Sequence, residues 1–321
     1  MQGFEDCFAR VFSSKHELVN GGILYRVPLN SEKGFLFDYL LFLPNGMKKR
    51  TTLILEFMNY KAGKTEHIEE KIEYMYEIFK SFRDIIHYCN QKSCFPILYP
   101  LIPRYFDLNL NEEIYVNMLS SNTFLATNPR FFHIDSQIIC MVKDAMQRLL
   151  QNQITVDEKI IAYGFSGSGK AVNRFALLHS NLLKLVVAGG LAGTLILPYK
   201  SFHGEKLLYP VGIGNLQSQA IDLESFRRLK QFYYHGEKDG IDAFCSDSNI
   251  EVVPHFKGII TSKELTQLYS YVGKDVATRW AVCQKIYQKY CYQAFFETYP
   301  DGTHSPAIAK EKIRDLFEKE I

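Results

Sequence analysis

Residues 159–180 read KIIAYGFSGSGKAVNRFALLHS. An apolar, β-type run ends in Ser166, which has small residues two positions away on each side, Gly164 and Ser168, and a helical pattern follows. Strand, tight turn and helix in that order form the layout of a nucleophile elbow, in which a serine hydroxyl is presented at a sharp bend. Gly164, Gly169 and Lys170 also fit a phosphate-cradling GxxxxGK loop. The two chemistries make different demands. A phosphate loop needs a hydroxyl directly after the lysine to hold magnesium, and that position is Ala171. An elbow needs room around the serine and a helix N-terminus whose amides face a developing oxyanion, and Gly164, Gly167 and Ser168 provide the room.

Working outward, β-rich runs at Ile23–Leu29 and Phe35–Phe42 read as an antiparallel hairpin, with a further strand at Thr51–Phe57. Strands and helices then alternate. Helical spacing is expected over Glu66–Cys89, Asp135–Leu150, Gly169–His179, Asp222–Lys230, Lys263–Tyr290 (broken near Gly273) and Pro306–Glu320. Strands are expected at Phe95–Tyr99, Lys159–Tyr163, Leu185–Ala188, Gln231–Tyr234 and Tyr292–Tyr299. The pattern predicts an α/β fold: about eight strands, mostly parallel with the first antiparallel, and helices on both faces. No repeat or linker interrupts the chain, so residues 1–321 are expected to form a single domain. Three long connections, around 100–130, 190–221 and 240–262, are expected to shape the mouth of a site.

A serine hydroxyl is a weak nucleophile and needs a base, itself oriented by a carboxylate. The strand Gln231–Tyr234 runs into His235-Gly236-Glu237-Lys238-Asp239, and the last strand runs into Pro300-Asp301-Gly302-Thr303-His304. C-terminal strand ends of an open parallel sheet face one crevice, so Ser166, Asp239 and His304 can converge there. Asp242 competes with Asp239 for the acid position, and the HGxxD setting favours Asp239. His203, in the second long connection, reads as a structural or substrate-facing residue, and Asp301 as a turn former. Tyr199, Phe202 and Tyr209 either line the site or anchor their loop.

On these motifs, GFSGS, HGEKD and PDGTHSP, the chain resembles the α/β-hydrolase fold superfamily over nearly its whole length. The resemblance implies a serine hydrolase with its triad in the order Ser166, Asp239, His304, the serine lying after the fifth of eight strands. It also implies an oxyanion hole made by the amide of Gly167 and a donor after the third strand, from Asn59 or Tyr60. The HGGG phrase of many esterases is absent, and Ser168 stands where the family's GxSxG has glycine.

Composition excludes several other classes. Thirty-seven basic residues against thirty-five acidic ones give a formal net charge of +2, with no basic stripe for nucleic acid. The seven cysteines form no CxxC pair, so neither a disulfide framework nor a zinc site is indicated, and a reducing compartment is expected. The first twenty residues carry no continuous apolar run of the signal-peptide kind, and no stretch is long enough to span a membrane. The expectation is a cytoplasmic, metal- and cofactor-independent hydrolase acting on a small acyl substrate. Its rivals are a nucleotide-binding protein that uses Gly164–Lys170 and a non-catalytic binding protein on the same fold. Substrate identity and oligomeric state are not legible.

Overall fold

The structure is a computed structural model that describes residues 16–19, 21–59, 67–81, 85–107, 112–114, 118–120, 128–216, 221–241, 261–291 and 293–321. Its main sheet has nine strands: β1 (His16–Val19), β2 (Gly22–Val27), β3 (Tyr39–Pro44), β4 (Ile54–Glu56), β5 (Ile97–Pro100), β6 (Ile160–Phe165), β7 (Leu183–Gly189), β8 (Lys230–Gly236) and β9 (Ala294–Tyr299). Their order across the sheet is β1-β2-β3-β5-β4-β6-β7-β8-β9. Pairing is antiparallel from β1 through β3 to β5 and parallel from there to β9. Strands β6, β7 and β8 lie inside the sheet and read as almost unbroken buried runs, as parallel strands covered on both faces must.

The helices are α1 (Ile68–Ser81), α2 (Ile85–Cys89), α3 (Ile134–Gln151), α4 (Gly167–Leu178), α5 (Leu223–Arg228), α6 (Ser262–Val272), α7 (Val276–Tyr290) and α8 (Lys310–Glu318). Every residue of α4 is buried, and the helix packs on β6 and β7. Between α6 and α7 the chain breaks at Gly273, as expected, where φ is 103° and the Gly273 amide still donates to Tyr269 O. Asp275 then starts α7 by accepting from the Thr278 amide.

The expected hairpin differs in detail. Its second strand starts at Tyr39, and Phe35 and Phe37 are buried residues of the connection, with Phe35 bridging to Asn30. Their apolar character reports packing in that connection. The edge strand β1 is an addition to the eight expected. Glu66–Cys89 holds two helices, α1 and α2. The long connections carry short ribbons, Tyr105–Asp107 with Glu112–Ile114 and Ser201–Phe202 with Glu205–Lys206, while most of 240–262 lies outside the described residues.

The crossover order leaves one place in the parallel region where β4 and β6 are neighbours but their connections leave in opposite directions. Such a switch point opens a crevice at the carboxyl ends of the strands. The segment after β4, Phe57–Asn59, and the turn after β6, Ser166, both lie there.

Behind this crevice, Asn173 of α4 ties four segments together. Its Nδ2 donates to Tyr233 Oη of β8 (2.8 Å) and Tyr287 Oη of α7 (3.0 Å), and its Oδ1 accepts from the Ile196 amide at 2.8 Å. Burial pushes the ionisation of both phenols well above the ordinary tyrosine range, so they stay protonated and donate hydrogen bonds to Gln231 Oε1 and Ile196 O. Asn173→Ala strands a buried amide and opens a void, and is expected to cost about 2–3 kcal/mol. Urea unfolding with an unchanged slope checks it; a loss below about 1 kcal/mol would show that the network is not a support.

Candidate active site

The run GFSGSGK folds as strand up to Phe165, a single turn residue, Ser166, and helix from Gly167. That leaves no multi-residue loop to wrap a phosphate: Gly164 is in β6, while Gly169 and the buried Lys170 are in α4. This geometry fits the elbow reading better than the phosphate-loop reading. Ser166 has φ 61° and ψ −124°, a conformation that L-residues rarely adopt. Its amide donates to Gly189 O at 2.8 Å, which pins the bend to β7.

Ser168 explains its own presence where a GxSxG phrase would have glycine. Its hydroxyl donates to Phe165 O at 2.7 Å and accepts from the Phe165 amide at 3.0 Å, tying the strand end to the helix start. Gly164 is needed because a Cβ there would lie 2.5 Å from Ser168 O.

Two further strand ends meet this turn. After β9, His304 reaches back so that its Nε2 lies 2.9 Å from Ser166 Oγ. After β8, the Asp239 amide donates to Gly236 O, and its carboxylate Oδ2 lies 2.8 Å from His304 Nδ1. A carboxylate only accepts, so Nδ1 carries the proton and Nε2 is left as the acceptor for the Ser166 hydroxyl. The other oxygen, Oδ1, accepts from the Ile241 amide at 3.1 Å. The Asp239 side chain is 1% exposed and that of His304 18%, so the carboxylate is shielded while the imidazole borders the opening.

Residues without a sequence signal frame the imidazole. Phe165 packs on it with ring centroids 4.8 Å apart, and Tyr234 stacks behind Phe165. Gly190 has φ 63°, and a methyl there would lie 2.7 Å from the Phe165 ring and 3.0 Å from His304 Cε1. Gly190→Ala is therefore expected to displace the imidazole and lower kcat by about 10- to 100-fold. Steady-state kinetics on the folded variant checks this; unchanged kcat would mean the ring tolerates the shift. His235, on β8, is buried against Trp280 with its Nδ1 4.0 Å from Asp239 Oδ2. Burial pushes its pKa below the ordinary histidine value, as does nearby His304, against the pull of Asp239.

Two solved structures bear on the architecture. The chain is similar to poly(aspartic acid) hydrolase-1 from Sphingomonas sp. KT-1, with a TM-score of 0.57 and 13% identity, covering 94% of this chain and 100% of that one. It is also similar to LpqC, a poly(3-hydroxybutyrate) depolymerase from Bordetella parapertussis, with a TM-score of 0.58 and 14% identity, covering 99% of this chain and 94% of that one. The chain has the α/β-hydrolase fold. No known family's sequence profile and no curated protein matches it by sequence.

Within this α/β-hydrolase fold, Ser166, His304 and Asp239 come together, whereas Asp242 and Tyr60 lie outside the described residues. Asn59 packs its carboxamide against Gly167 and is held by Arg104, whose Nη2 donates to Asn59 Oδ1 at 2.9 Å. His203 is an exposed residue of the Ser201–Lys206 ribbon, stacked on Tyr271, and Asp301 is an exposed turn residue at φ 60° paired with Lys238. Tyr209 is 1% exposed and donates to Leu119 O at 2.6 Å, and Tyr199 packs on Phe202 and Tyr290. These aromatics anchor their loop. Among the described residues, no helix is long and apolar enough to cross a membrane.

Proposed function

We propose that the protein is a serine-dependent hydrolase of small acyl, ester-like substrates, working without a metal or cofactor. One observation carries this reading: the unbroken hydrogen-bond chain Ser166 Oγ, His304 Nε2, His304 Nδ1, Asp239 Oδ2, with steps of 2.9 and 2.8 Å, at a strained strand-to-helix turn. In this reading Ser166 Oγ attacks the acyl carbon while His304 Nε2 takes its proton, and the carbonyl electrons move to the oxygen. Asp239 holds the tautomer and stabilises the imidazolium. The Gly167 amide, at the positive end of α4, and a donor from the Asn59–Tyr60 segment receive the oxyanion. As the intermediate collapses, the leaving alkoxide takes the proton from His304. Water then repeats the cycle on the acyl-serine and frees the acid.

The names of the two similar structures, a poly(aspartic acid) hydrolase and a poly(3-hydroxybutyrate) depolymerase, agree with hydrolysis at an acyl carbonyl. We propose further that residues 1–321 act as one domain and that the protein works in the cytoplasm. A fluorophosphonate probe followed by peptide mapping tests the reading. One phosphonyl adduct on the Ser166 peptide, with turnover of short-chain p-nitrophenyl esters, is expected. No adduct and no turnover would favour a binding protein on this fold.

A further inference from the structure

We propose that the side-chain carboxamide of Asn59, oriented by Arg104, is the second oxyanion donor. This inference rests on the serine hydrolase reading above and replaces the backbone amide of the Asn59–Tyr60 segment as the expected source. A guanidinium has donors only, so the carboxamide atom 2.9 Å from Arg104 Nη2 must be the oxygen. That fixes the rotation of the amide group and leaves Nδ2 as a donor on its other side.

Nδ2 is also the carboxamide atom nearest the side-chain position of Gly167. A methyl built on Gly167 would lie 2.7 Å from Nδ2, against 2.9 Å from Cγ and from Oδ1. Gly167 is the first residue of α4, where a backbone N–H has no acceptor within its own helix. The Asn59 carboxamide thus sits beside Gly167, the residue that follows Ser166 and carries a helix-end N–H, so both N–H groups can serve one oxyanion there. Asn59 is half-buried.

Arg104 is suited to the orienting part. It is buried, and its own carbonyl accepts from Lys71 Nζ at 3.2 Å, which fixes the backbone that carries it. Drawing electron density toward Oδ1 makes the N–H on the same amide a stronger donor. The guanidinium therefore both aims and polarises the carboxamide, while the group that touches the oxyanion is Asn59. Arg104 is a positioning residue.

Asn59→Ala and Asn59→Asp separate this from the backbone alternative, because both keep the Asn59 amide and delete the carboxamide donor. Each is expected to lower kcat by about 10²- to 10³-fold with little change in KM. Affinity for an alkyl boronic acid, whose tetrahedral adduct mimics the intermediate, should fall in parallel. Arg104→Met should lower kcat less than Asn59→Ala, Arg104→Lys should recover part of the loss, and Asn59→Ala combined with Arg104→Met should be no worse than Asn59→Ala alone. If Arg104→Met does not fold, the two Asn59 variants and the boronate series decide. Asn59→Ala within about threefold of wild-type kcat, or independent effects of the two residues, would overturn the proposal while leaving the serine hydrolase reading intact. A wild-type protein that neither turns over esters nor takes the probe would instead overturn the underlying reading, and this inference with it.

Discussion

Ser166→Ala is expected to lower kcat by about 10⁶-fold, to abolish fluorophosphonate labelling, and to leave KM and the fold nearly unchanged. The size follows from what the hydroxyl does in the proposed cycle: without Oγ no acyl-serine forms, and only binding and oxyanion stabilisation remain to assist water. The structural cost is small because the side chain's hydrogen bond is the one to His304 Nε2 at 2.9 Å, while the amide contact to Gly189 O that holds the bend belongs to the backbone. Alanine carries the same Cβ into the φ 61° conformation, so the strain of the turn is inherited unchanged. One neutral hydrogen bond at a partly exposed site is worth about 1 kcal/mol. Combining Ser166→Ala with His304→Ala should add little further loss, since the base has no role once its nucleophile is gone. Equal labelling of wild type and Ser166→Ala would sink the assignment of the nucleophile.

Much of this site was legible because its parts sit on strong local signals. Strand β6 is a continuous apolar run, β7 has Leu185–Ala188 and β8 Phe232–Tyr234 as apolar centres, and each of the three residues lies within a few positions of a glycine-bearing turn at a strand end: Ser166, HGEKD and PDGTHSP. Strand ends in a parallel sheet share an edge, so topology converts three sequence signals into one place. What stayed hidden has no local signal. Strand β1 is four residues at a sheet edge with Leu18 75% exposed, too short to show a period. Phe35 and Phe37 mimicked a strand because burial alone looks the same in a packed connection. The contact between Asn59 and Arg104 spans forty-five residues, and the room that Gly190 leaves beside His304 goes with a positive φ that sequence does not announce. The phosphate-loop ambiguity needed coordinates for a related reason: glycine spacing is common to both motifs, whereas the length of turn between strand and helix separates them.

Asp239→Asn is expected to lower kcat by about 10⁴-fold, and the geometry dictates how. The carboxylate has two distinct partners: Oδ1 accepts from the Ile241 amide at 3.1 Å and Oδ2 from His304 Nδ1 at 2.8 Å. An asparagine can satisfy the fixed backbone donor only by placing its oxygen toward Ile241, which turns its NH₂ toward His304. Nδ1 must then accept, so the imidazole proton moves to Nε2 and points at Ser166 Oγ. The base is blocked by its own proton, and the negative charge that would steady the imidazolium is gone. Because the shape of the site is preserved, KM and the cooperative unfolding transition should change little, and nitrogen NMR of the imidazole should report the switched tautomer. The same experiment separates the two aspartates of the HGEKDGID segment. If Asp239→Asn keeps more than about a tenth of wild-type kcat, well short of the expected loss, while Asp242→Asn does not, the acid has been misassigned.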